Sequence, residues 1–476
     1  MTKKTSIGIF TLAMINVAAI VSLKNLPITA EYGLTSVFYL VFAAIVFFVP
    51  LSLIAAELAT GWPGDGGVFL WVKEALGPKF GFLAIWLQWV ENVIWYPTAL
   101  SFTAATLAYA INPDLATNKV YMLVIMMVVF WGSTLINSLG MKASGMISSV
   151  GVIIGTLIPG ALIIILGVVW VIMGKPAQID FTWQGLIPDL GNMNNWVLMA
   201  GVLLGLAGME MSAVHAKEVK NPHKNYPRAI LLSTIIIITL VTLGSLAIAT
   251  VVPKGSLSLV SGVMEAFKHF FESYNLGFLV PVIAILTAIG AVAQISTWIV
   301  GPTKGLLATA RHGYLPPKLQ IENKHGMPVG IMVMQGIILS LMSLIFLLMP
   351  SINASFWILI SLTAQLYLIM YLLVFVSALV LRYKQPETKR PYKVPGGIVG
   401  MWLIGGLGFL GSLFGVVVGF FPPSNLKTGN SLFYVGFLVV GIIVFVSIPF
   451  IIHIFKKPSW VKKEEDQDTT NVATDK

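Results

Sequence analysis

The sequence predicts an all-α membrane protein with twelve transmembrane helices, and three observations carry that expectation. The 476 residues are 57% hydrophobic and only 10% charged, with mean hydropathy +0.89, against roughly a quarter charged in ordinary soluble chains. A helix needs roughly 20 apolar residues to cross a hydrocarbon core of about 30 Å, so twelve spans with short loops, at about 40 residues per unit, occupy the whole chain. No room is left for a separate soluble catalytic domain. The third observation is an uneven distribution of cations between alternate loops. The spans must be helices, because lipid leaves backbone groups unpaired in any other open form, and the alternating strands of an outer-membrane barrel are absent. There is no cysteine, which excludes disulfides, thiolate catalysis and Cys-ligated metals.

The net charge of +10 invites a nucleic-acid partner until the cations are placed. Both termini and one set of loops hold almost all the lysines and arginines, from Lys3 and Lys4 through Lys217, Lys220, Lys224 and Arg228 to Lys456 and Lys457. The other side has only Lys119, Lys175, Lys254, Lys268 and Lys427, and Lys24 falls inside a span. This asymmetry is the positive-inside pattern, and it predicts cytoplasmic termini in a multi-pass protein of the cytoplasmic (inner) membrane. The basic charge then reports orientation, with no need for nucleic acid.

Hydrophobic runs place the spans near 6–30, 35–58, 80–111, 120–137, 144–173 and 196–219, then 226–252, 278–310, 328–348, 354–381, 398–421 and 432–455. The first run is too long for a signal-peptide core and has no small-residue cleavage site. Amphipathic pieces are expected near 66–76, 257–271 and 315–322. One transmembrane domain therefore covers 1–456, with repeat one at about 6–173, repeat two at about 196–381 and two further helices at about 398–455. The tail 457–476, with Glu464, Glu465, Asp466 and Asp468, is polar and expected to be disordered.

The informative features are defects in two spans. In the first, Ser22-Leu23-Lys24-Asn25-Leu26-Pro27 puts a charge, an amide and a proline together. Pro27 cannot donate its helical hydrogen bond, so carbonyls around Leu23 and Lys24 are expected to be freed. Lys24 in hydrocarbon would cost at least about 2.5 to 3.5 kcal/mol, which favours a polar cavity beside it; a snorkelling lysine next to a proline kink is the plainer alternative. In the sixth span, Gly205-Leu206-Ala207-Gly208 weakens the helix just before the carboxylate of Glu210. Glycines alone also serve helix packing. Position distinguishes this pair, because spans one and six open the two halves of a five-plus-five arrangement. Interrupted helices at matching places in two halves point to a transporter's central site, where N–H groups meet an anion and freed carbonyls a cation.

These residues resemble a known superfamily. Glu57-Leu58-Ala59-Thr60 with Gly66-Gly67-Val68-Phe69 is similar to the loop after span two of the amino acid, polyamine and organocation transporters. Glu210, His215, Glu218, Asn221-Pro222 and Tyr226-Pro227-Arg228-Ala229 resemble their sixth-to-seventh span signature, and Trp298-Ile299-Val300-Gly301-Pro302 with Arg311 resembles their eighth span. Within the superfamily, the chain looks most like the glutamate:GABA antiporter group. The resemblance implies a leucine-transporter-like fold, with ten core helices in a five-plus-five inverted repeat plus two C-terminal helices. It also implies amino acid antiport by alternating access. The first-span break departs from the glycine-rich pattern of many members, since Ile20-Val21-Ser22-Leu23-Lys24 stands there.

The site expected from these readings holds a zwitterion by its ends. N–H groups around Ser22 and Leu23 receive the α-carboxylate, carbonyls near Gly205 and Leu206 accept the α-ammonium, and Val21, Lys24, Ala207 and Gly208 complete the expected substrate-binding stretches. Glu91 in span three has three open roles: pairing with Lys24, binding the substrate ammonium, or taking up a proton. Lys24 and Glu91 are the coupling candidates, and Lys24 also has the alternative of attracting a side-chain carboxylate. Trp95, Gln294, Trp298 and Gln365 are cavity or gate candidates, and Glu210 is read as a scaffold carboxylate for freed backbone N–H groups. Exchange and proton-coupled uptake of a neutral amino acid both remain open. The partners implied are an amino acid, protons in the coupled case, and the bilayer. No cofactor or metal is implied, since His215, His223, His269, His312, His325 and His453 lack ligand spacing. No sodium requirement is expected, although Ser296 and Thr297 offer oxygens in span eight. An enzyme is not expected, and a channel is disfavoured by the two broken helices.

Overall fold

A computed structural model describes residues 8–64, 66–140, 151, 153–211, 219, 221–424 and 430–461. Lys217, Glu218, His215 and the acidic tail lie outside the described residues. Among the described residues the chain is helical, with one isolated β-bridge, between His312 and Val461. In chain order the helices are α1 (Ile9–Ile20), α2 (Leu26–Ala30), α3 (Ser36–Ala43), α4 (Val49–Gly61), α5 (Val68–Leu76), α6 (Pro78–Ile111) and α7 (Lys119–Ser138). Then come α8 (Ile158–Ile172), α9 (Met199–Gly205), α10 (Pro222–Val251), α11 (Gly262–Ser273) and α12 (Val280–Arg311). The last are α13 (Val329–Ser343), α14 (Ile345–Leu348), α15 (Ile352–Lys384), α16 (Gly397–Val418) and α17 (Ser431–Ile454). Short helices form where the amphipathic pieces were expected: α5, α11 and a 3-10 turn at Pro317–Gln320.

Nine helical stretches among the described residues are long and apolar enough to cross a membrane, or ten when α1 and the bent segment Leu23–Ala30 count as one span. Two expected spans fall short for opposite reasons. α6 has 34 residues but carries Gln88, Glu91 and Asn92 mid-way, and α9 ends after 7 residues. A polar helix tolerates a membrane only when other helices cover it. α6 satisfies that condition: it packs against α12, α15, α5, α7, α13 and α17 and is buried nearly throughout. It is the central post of the molecule.

Close approach at small residues fixes the helices around that post. A Cβ built on Gly290 of α12 would lie 2.3 Å from the carbonyl carbon of Gly155, in the π-turn before α8. These two backbones touch because neither residue has a side chain. On the side where α1 begins, here termed the near side, Glu57 at the end of α4 accepts two hydrogen bonds from Arg382 of α15, at 2.7 and 2.6 Å, and one from the Val394 N–H at 2.7 Å. Arg390 adds an ion pair at 3.4 Å. The glutamate-containing loop motif after span two thus fastens span two to span ten.

Gly290→Ala is expected to destabilise the protein by about 1 to 3 kcal/mol through overpacking. Gly406→Ala in α16, where an added Cβ meets nothing within 4 Å, should leave the melting temperature in detergent unchanged or slightly raised. Arg382→Met should cost about 3 kcal/mol, because it removes two charge-assisted hydrogen bonds from the buried Glu57 carboxylate and leaves it only Arg390 and the Val394 N–H; thermal unfolding followed by monodispersity on a sizing column checks all three.

Candidate substrate site

Span one breaks where the sequence crowds polar groups. α1 ends at Ile20, Val21 and Ser22 are extended (ψ 117° and 126°), and the two helical pieces meet at 51°. The gap lies one step earlier than Pro27 alone would place it. Leu26 N–H takes the Leu23 carbonyl in a 3-10 turn, and Asn25 N–H takes the Ser22 carbonyl at 3.2 Å. The expectation that Pro27 would leave the Leu23 carbonyl free is therefore corrected. The open groups are N–Hs instead: those of Ser22, Leu23 and Lys24 find no backbone acceptor among the described residues.

Span six breaks with the opposite polarity. α9 stops at Gly205, and Leu206 and Ala207 N–H groups close short turns onto Leu203 and Leu204. Gly208 then adopts φ +115°, a conformation that favours glycine. The carbonyls of Leu206 and Ala207 accept no backbone hydrogen bond among the described residues. Gly208 N–H is satisfied from outside the helix, donating to the Tyr371 hydroxyl at 2.9 Å. Tyr371 in turn donates to Glu210 Oε2 at 2.7 Å, Tyr367 donates to Oε1, and Gln88 Nε2 donates to Oε1 at 3.1 Å. Glu210 thus ties the break in span six to α6 and α15.

The two breaks meet at one cavity of about 40 Å³, which Ser22, Asn25, Glu91, Trp95, Ala207, Gln294, Trp298 and Tyr367 help to line. Ser22 Oγ donates to Gln294 Oε1 at 2.9 Å, joining the break in span one to α12. Asn92 Nδ2 donates to Glu91 Oε1 at 2.9 Å, while Glu91 itself is 2% exposed. Trp95 and Trp298 face each other with ring centroids 6.2 Å apart. Room for about 40 Å³ holds a few waters, so any larger ligand enters only as the half-buried Trp95, Gln294 and Trp298 side chains move. A second chamber of about 10 Å³ lies behind Ser22 and Asn25, against Gly205 and Leu206. It has room for at most about one water.

The structure brings most of the sequence-predicted residues together, and it redirects three. Gln365 faces away from the cavity: Nε2 donates to the Val416 carbonyl of α16 at 3.1 Å. Lys24 forms no ion pair with Glu91 among the described residues; its ammonium lies 5.2 Å from the Trp95 ring and 5.5 Å from the Phe356 ring, and donates to Thr98 Oγ1 at 3.3 Å. Ser296, considered as a cation ligand, is paired reciprocally with Asn137 of α7 at 2.8 and 3.0 Å. The backbone of Val21 and Leu23 forms the break, and Gly208 sits beside Ile20 and Trp298. Sequence reading missed Tyr367 and Tyr371. Their spacing of four on one helix was the available signal, since it stacks both rings on one face.

A sequence profile of amino acid permeases matches residues 7–445. The chain belongs to this family, within the amino acid, polyamine and organocation superfamily. It is 47% identical over 466 residues, 98% of each chain, to an uncharacterized transporter of Legionella pneumophila. It is 34% identical over 453 residues to a glutamate/gamma-aminobutyrate antiporter of Lactococcus lactis, covering 94% of this chain and 90% of that one. A probable agmatine/putrescine antiporter of the same species is 26% identical over 368 residues, 77% of this chain and 78% of the other. This membership makes the chain a multi-pass membrane transporter of small metabolites and not an enzyme.

Tyr371→Phe orphans the Gly208 N–H and removes a charge-assisted bond to Glu210. A loss of about 1 to 3 kcal/mol is expected, read as a lowered melting temperature. Tyr371→Leu should be no milder.

Proposed function

We propose that the protein is a secondary active amino acid transporter that exchanges one amino acid for another across the cytoplasmic membrane by alternating access. In this reading it has twelve spans, a leucine-transporter-like inverted repeat and cytoplasmic termini. The observation that carries it is the meeting of two helix breaks of opposite polarity at one cavity. The open N–H groups of Ser22, Leu23 and Lys24 suit a carboxylate. The open carbonyls of Leu206 and Ala207, with the Glu91 carboxylate on the wall, suit an ammonium group. A zwitterion satisfies both ends, which neither an ion channel nor a site for an uncharged ligand requires.

Exchange of the glutamate-for-GABA kind is the first choice, following the 34% identical relative's name. Proton-coupled uptake of a neutral amino acid is the second, favoured by one observation: Glu91 on the cavity wall has no cationic side chain paired to it among the described residues. A carboxylate there takes up a proton and a substrate in turn, which is what a symport cycle needs.

Protein reconstituted in liposomes preloaded with unlabelled glutamate or GABA should accumulate the labelled compound without a pH gradient, and empty liposomes should not. Uptake that needs an inward proton gradient and ignores preload would replace exchange with symport. No saturable transport or binding of any of the common amino acids would end the zwitterion reading. Glu91→Gln is expected to lower uptake at least about tenfold, the scale of one lost charge-assisted contact of roughly 1.5 to 3 kcal/mol; wild-type uptake by this variant would remove Glu91 from the site.

A further inference from the structure

Lys24 is 1% exposed, yet its charge is not aimed at the cavity. It lies between α6 and α15, beyond the cavity on the side away from the near side, with Trp95 and Phe356 on its flanks and Thr98 as its oxygen partner. Thr98 is held in turn, donating to the Trp95 carbonyl at 2.7 Å. The packing around it is closed: Ser101 of α6, one turn beyond Thr98, and Phe356 and Trp357 of α15 are all 0% exposed. Lys24 thus sits inside closed packing between spans one, three and ten.

We propose that Lys24 is the pin of the far-side gate: its ammonium, held between the Trp95 and Phe356 rings, clamps the outer half of span one onto spans three and ten, and the site opens to the far side only when that clamp parts. A buried ammonium with one hydroxyl and two aromatic faces is well held but sparsely hydrogen-bonded. It therefore releases without stranding a partner carboxylate, unlike Arg382 on Glu57. The Lys24 side chain acts through the helices it joins; only its backbone N–H is offered to a carboxylate. The inference rests on the alternating-access reading, and its test does not depend on transport.

The chain contains no cysteine, so a single reporter is clean. Ser101→Cys places a thiol one turn beyond Thr98 on the same face of α6. In membranes, its rate of modification by an impermeant thiol reagent added from the far side should be slow. Lys24→Met should raise that rate at least about tenfold, Phe356→Leu with Lys24 intact should raise it less, and Lys24→Arg should restore slow labelling by keeping the cation over both rings. A matched reporter, Ser377→Cys, is buried in α15 and should stay unreactive throughout. Equal Ser101→Cys rates in Lys24→Met and the parent overturn the proposal. So does acceleration of both reporters, which signals general loosening. Liposome exchange by the parent protein, measured separately, tests the transport reading by itself.

Discussion

A backbone N–H or carbonyl inside a bilayer has no water to pair with, so each interruption of a spanning helix must be answered by another part of the protein. Most of this structure follows from answering two such interruptions. Tyr371 answers Gly208 N–H, Glu210 anchors Tyr371, and Gln88 and Tyr367 anchor Glu210. Among the described residues, the N–H groups of Ser22, Leu23 and Lys24 and the carbonyls of Leu206 and Ala207, beside the cavity, receive no such backbone answer. What the fold leaves unpaired is what a ligand with a carboxylate and an ammonium would pair.

The same requirement explains why α6 is the central post. Its Gln88, Glu91 and Asn92 are too polar for lipid, and the surrounding helices bury them. The polar residues then do different jobs according to which face they take. Gln88 turns to Glu210 and supports the break in span six, Glu91 turns to the cavity, and Trp95 and Thr98 meet Lys24. One helix thereby touches both breaks, and displacement of either half of span one is felt along it.

Much of this architecture is legible in the sequence. Composition and cation placement set the membrane class, and the clusters at Lys24-Asn25-Pro27 and Gly205–Gly208 located both breaks. What failed was direction. A proline suggests freed carbonyls, but a 3-10 turn recaptured the one at Leu23 and moved the gap to the preceding N–H groups. Gln365 was a reasonable polar candidate in an apolar helix, yet Tyr367, two positions on, lies on the opposite face at roughly 100° per residue, and it is Tyr367 that reaches the cavity. Opposite charges at Lys24 and Glu91 invited a pairing that the aromatic flanks of Lys24 replaced. Hydrophobic periodicity fixes where a helix lies in lipid far better than which way a single residue points inside a bundle whose every face is apolar.

Two buried carboxylates sit close to the same cavity, and their hydrogen bonds separate their roles. Glu210 receives donors on both oxygens from side chains of spans three and ten. A proton or ligand arriving there must first displace a tyrosine on which the broken helix depends, so the residue is suited to hold a shape. Glu91 has one amide donor, from its own neighbour Asn92, and lies on the cavity wall. Pairing it with a passing charge breaks nothing between helices. In the proposed transport cycle, a carrier must return to the same empty state, so the group that exchanges partners is expected to be the one whose partners are local, which favours Glu91.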